Sequence, residues 1–65
     1  MDNLLYNFIY SESEKTMRIH SDEHSPIRCK NGERLVAQVE GSEDAQHVIQ
    51  LIEAIRPDLK VIEED

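Results

Sequence analysis

The chain has 65 residues, so it holds one domain and one core, and a chain this short hides only about 60% of the surface its unfolded form exposes. Its 7 basic residues against 14 acidic ones, a net charge of −7, speak against general nucleic-acid affinity, which rests on neutralising phosphates. Cys29 is the single cysteine; this excludes an internal disulfide and leaves an efficient core, a metal or a second subunit as the means of holding so small a domain together.

The run Leu4–Tyr10 reads in two ways. Leu4, Leu5, Phe8 and Ile9 would share one face of a short helix capped by Asp2. As a strand, the β-formers Tyr6, Phe8, Ile9 and Tyr10 lead into the polar loop Ser11–Glu14. The strand is the reading adopted, with the rings pointing inward because a chain with one Phe, two Tyr and no Trp can hardly spare them. The run is broken by Asn7 and falls far short of the roughly 20 residues of a spanning helix. With no basic start or small-residue cleavage site, and with a lone thiol that suits a reducing compartment, the expected location is the cytoplasm.

Thr16–His20 alternates as a strand should, and Ser21–Ser25 is a polar loop. Asn31-Gly32 supplies the positive φ angles of a tight hairpin turn, so Ile27–Lys30 and Glu33–Val39 are expected as paired strands. Gly41 and Ser42 open a helix from about Glu43 to Arg56, with Ser42 as cap and Glu43 and Asp44 favourable to the dipole. Ala45, Val48, Ile49, Ile52 and Ile55 form its apolar stripe, widened by Leu51, and Pro57 ends it. Leu59–Ile62 is a last short strand, and Glu63–Asp65 a frayed acidic tail. The expected class is α+β: a small, mostly antiparallel sheet in β-β-β-β-α-β order, packed against one amphipathic helix.

Alternation then assigns faces. Met17 and Ile19, Ile27 and Cys29, and Leu35, Ala37 and Val39 are expected on the helix side. Arg18, His20, Arg28, Lys30, Arg34, Val36 and Gln38 are expected on the outer face, which would be basic. Lys15–Arg34 holds five basic residues against three acidic, whereas Glu40–Asp65 holds eight acidic against two basic. Glu43, Asp44 and Glu53 make the helix side acidic.

His20, His24 and Cys29 are zinc-ligand types, but parity sends Cys29 inward and His20 outward, so neither a metal nor a cofactor is expected. His47 is a boundary residue beside the helix stripe. Both glycines have structural roles, which leaves no phosphate loop. The expectation is a non-enzymatic protein-interaction module of the kind found among accessory and inhibitor proteins, including those of phage and mobile elements. It would occupy a surface of a larger partner, such as a basic nucleic-acid-binding protein. The alternatives are nucleic-acid or phosphate binding by the basic face, and a structural homodimer.

Overall fold

The computed structural model describes residues 4–21 and 29–64. Within them lie β1 (Leu5–Ser11), β2 (Thr16–Ser21), β3 (Glu33–Glu40), α1 (Ser42–Ile55) and β4 (Lys60–Glu64). The class is α+β, with a four-stranded, mostly antiparallel sheet of order β3-β1-β2-β4 packed with one helix.

The N-terminal run is a strand because it has partners on both sides: β1 pairs antiparallel with β2 and with β3. The β1–β2 hairpin closes through Glu12–Lys15, where Lys15 takes the positive φ of 56° that ends such loops. The Ser11 hydroxyl accepts the Glu14 amide at 3.4 Å, a local turn bond of the kind serine favours. The Lys60 amide donates to the Lys15 carbonyl at 2.8 Å, and from there β4 runs parallel to β2. Since β3 and β4 are therefore parallel and lie at opposite edges, α1 must cross the sheet from one edge to the other.

Phe8, Met17 and Ile19 from the sheet meet Ala45 and Ile49 of α1 and Leu59 of the following turn in one core. Tyr6 and Tyr10 pack against it, so the rings point inward as expected. Ile9 is also fully buried, but on the face away from the helix, together with Asn7 and Ser11. The central strand is thus covered on both sides.

Three local expectations change. The Asn31-Gly32 turn exists, closed by the Glu33 amide on the Lys30 carbonyl at 2.9 Å. Cys29 and Lys30, however, are not in a strand, and β3 pairs with β1; Ile27 and Arg28 lie outside the described residues. Gly32 has φ 90°, while Asn31 is not among the positive-φ residues, and a turn with only its second central residue positive splays its arms instead of joining them as a hairpin. Cys29 is consequently exposed, not part of the core.

The helix N-cap is Gly41, not Ser42. Its φ of 93° and ψ of 136° suit glycine alone, its amide donates to the Leu4 carbonyl at 2.9 Å, and its carbonyl accepts Ala45 at 3.1 Å. Glu63 and Glu64 belong to β4 instead of a frayed tail, since they pair in register with Ile19 and His20; Asp65 lies outside the described residues. Gly41→Ala should lower stability by about 1–3 kcal/mol, the usual penalty for a side chain held in such backbone geometry. A urea midpoint that does not move would show that the β3–α1 junction relaxes at no cost.

Candidate protein interface

The outer face of the sheet is built around Arg18. In the pairing register, Ile9 lies between Arg18 on β2 and Leu35 on β3, and Ser11 lies between Thr16 and Glu33. From β2, Arg18 reaches over β1 to Glu33, with Nη2 donating to Oε1 at 2.8 Å and Nε to Oε2 at 3.3 Å. Its Nη1 donates to Glu64 of β4 at 2.7 Å. The Arg18 and Glu33 side chains are only 12% and 11% exposed. Glu33 also accepts the Lys30 amide at 2.7 Å, which ties the turn into the same network. Nearby, Asn7 donates to the His20 carbonyl at 3.1 Å and accepts from Gln38 at 2.8 Å. His20 Nε2 is buried with no hydrogen-bond partner among the described residues.

The candidate basic residues therefore occupy different places. Arg18 sits between two carboxylates and His20 is half-buried beside it. Lys30 is exposed at the turn. Arg34 pairs with Tyr10 and so stands on the helix side of the sheet. Arg28 lies outside the described residues, as does His24. Glu43, Asp44 and Glu53 are exposed on α1 as expected.

A bulge explains why parity fails along β3. Phe8 pairs with Ala37 but Ile9 pairs with Leu35, so Val36 is an extra residue. Leu35 turns to the outer face and Val36 to the helix side, the reverse of simple alternation.

Val36 then lines an apolar concave surface on the helix side. A groove of about 260 Å³ lies between Val36, Tyr10 and Met17 of the sheet and Ile52, Ile55 and Leu59. It is open because α1 starts at the β3 edge and ends near β4, uncovering the Glu33 end of β3 as it crosses. Three large apolar residues remain accessible on the helix side, Ile55 (71%), Leu51 (59%) and Val36 (46%), and Leu35 (40%) is accessible on the outer face. Leu51 and Ile55 were expected in the core. The legible signal was an apolar stripe wider than one sheet face needs, together with three consecutive apolar residues at Leu35, Val36 and Ala37.

Among the described residues no three His, Cys, Asp or Glu side chains come together as metal ligands, and no helix is long and apolar enough to cross a membrane. Comparison with protein-family models, curated proteins and solved structures found no match.

The Glu33 carboxyl is held below its ordinary range, first by the Arg18 hydrogen bond and then by the Lys30 amide. A carboxyl lowered on folding adds stability above its unfolded value of about 4.3, and that share disappears as pH falls through the lower folded value. Wild type should therefore exceed Glu33→Gln in urea midpoint at neutral pH, and the two curves should converge below about pH 4. Parallel curves would mean that the Arg18–Glu33 pair contributes nothing to folding.

Proposed function

We propose that this chain is a small non-enzymatic protein-interaction module, of the accessory or inhibitor kind, that works by occupying a surface of another protein. The observation that carries this reading is the apolar groove at the Glu33 end of β3, lined by the exposed Val36 and Ile55, with the exposed Leu51 one turn earlier on α1. Contiguous exposed apolar surface on a small acidic domain points to a partner more than to solvent. The edge of β3 beside it is long and largely exposed, and an edge of that kind is a natural place for another chain to lie.

Support for catalysis is thin. The groove and the other concave sites described are each smaller than a typical substrate pocket, at about 200–270 Å³. Among the described residues, Arg18, Glu33, Arg56 and Asp58 are displaced from their ordinary pKa, chiefly by the ion pairs they form. Nucleic-acid binding by the outer face has less support than protein binding, because Arg18 is shared by two carboxylates and Arg34 stands on the other side.

A photo-crosslinking residue at Ile55 should capture a defined protein in the chain's native host, whereas one at Gln50 on the solvent side of α1 should not. The identified protein, once purified, should bind the Ile55→Glu variant at least about tenfold more weakly than wild type. Equal crosslinking from both positions, or tight binding of a labelled oligonucleotide at low salt with no effect of Ile55→Glu, would refute this reading.

A further inference from the structure

We infer that the β3 edge and the flank of α1 beside it form a two-fold symmetric interface with a second copy of this chain, an inference that rests on the interaction role proposed above.

Asp44, Val48, Leu51 and Ile55 recur at the alternating four- and three-residue spacing that aligns side chains in one stripe along a helix. On the other flank, Gln46 reaches Glu63 of β4, while Val36 of β3 lines one groove with Ile52 and Ile55. The stripe therefore borders β3. The helix runs antiparallel to β3, because it connects β3 to the parallel strand β4. From the junction at Gly41, half of β3 leads back about 13 Å to the point between Val36 and Ala37. A helix lying along the strands would cover that rise in about nine residues, reaching Leu51, and the oblique course of α1 moves the point a few residues toward Ile55. The midpoint of the strand edge and the Leu51–Ile55 part of the apolar stripe thus lie at about one level.

A two-fold axis perpendicular to the sheet at that level sets β3 antiparallel to the partner's β3. It places Val36 opposite the partner's Ala37. In a regular strand these two residues would point to opposite faces and could not match. The bulge puts both on the helix side, so this register keeps Leu35 with the partner's Gln38 outside and Arg34 with the partner's Val39 inside.

The axis also supplies what α1 leaves uncovered. At the Glu33 end of β3, where α1 has moved off toward β4, the partner's α1 is just starting beside its own β3. The partner's Val48 and Leu51 then face the mouth of the groove at Val36 and Ile55. On the outer face this register sets Glu33, which is already paired with Arg18, opposite the partner's Glu40, a like-charge contact that costs stability; on the helix side the charges match. Arg34 lies on the helix side at about the level of the partner's Asp44, and the symmetric pair repeats at the other end. The opposite edge does not offer this, because β4 is short and carries Lys60, Glu63 and Glu64, the charged type of edge that resists pairing.

The test is sedimentation equilibrium with reductant present, since Cys29 is exposed, over loading concentrations up to about 1 mM. Wild type should pass from monomer to dimer. Leu51→Glu should weaken dimerisation at least about tenfold, and because Leu51 is 59% exposed the fold should survive it, as far-UV circular dichroism can verify. Arg34→Glu and Asp44→Lys should each weaken the dimer, and the double variant should recover most of the loss. A wild type that stays monomeric throughout would overturn the inference, as would a dimer indifferent to Leu51→Glu or a double variant no better than the singles. If wild type is monomeric but crosslinks from Ile55 to another protein, the second copy is excluded and the interaction role stands. If neither occurs, both fall.

Discussion

The structure turns on the central strand β1, which is paired on both edges and buried on both faces although, among the described residues, a single helix covers one of them. Phe8 meets the core under α1, while Ile9, the next residue, is equally buried on the far side. That far side is closed in part by charge. Arg18 and Glu33 come from the strands flanking β1 and join above it. A covered ion pair gains little net energy, because desolvation offsets most of its attraction. What it supplies is register: only one alignment of β2, β1 and β3 lets a forked guanidinium meet Glu33 and still reach Glu64.

The same demand explains the bulge. Glu33 must face outward to meet Arg18, and Ala37 and Val39 must face inward to meet the helix side. Glu33 and Ala37 stand four positions apart, which in a regular strand would put both on one face, whereas β1 has Ile9 outside and Phe8 inside as immediate neighbours. Aligning Leu35 with Ile9 and Ala37 with Phe8 leaves Val36 without an opposite number. Bulges at sheet edges disturb the ladder and so deter indiscriminate strand addition. Here the disturbance also turns a valine toward the groove, so a feature that limits open-ended pairing adds apolar surface for a specific contact.

Much of this was legible in the residues. The helix was, because its period, acidic first turn and terminal proline are local features that act within one segment. So were the strands at Leu5–Ser11 and Thr16–Ser21, where inward rings and strict alternation agree with the pairing observed. The partner of β3 was not legible, because Asn-Gly reports only what the turn can adopt. With Asn31 at negative φ, the arms diverge and β3 is free to join β1. The bulge escaped for a related reason: Leu35-Val36-Ala37 offers apolar side chains to either face, so parity is degenerate just where it changes. Among the site residues, Glu43, Asp44 and Glu53 could be placed on an exposed helix surface from periodicity alone. The role of Arg18 could not, since its partners lie 15 and 46 positions away and meet it only through strand order.

Charge sets the last condition on any contact this chain makes with its own kind. Two copies at −7 repel, so association demands a surface where the local balance differs from the total. The β3–α1 flank meets that demand by separation. Arg34 lies toward the groove end, where Arg56 is already paired with Asp58, while Glu43 and Asp44 occupy the first turn of α1. Such a flank is unfavourable against itself in parallel and favourable in antiparallel, which is the orientation that two-fold symmetry imposes. At physiological ionic strength charges beyond about 8 Å are largely screened, so the distant acids that dominate the total count for less than the few groups brought together. Net charge therefore favours the antiparallel orientation for any self-contact without forbidding it.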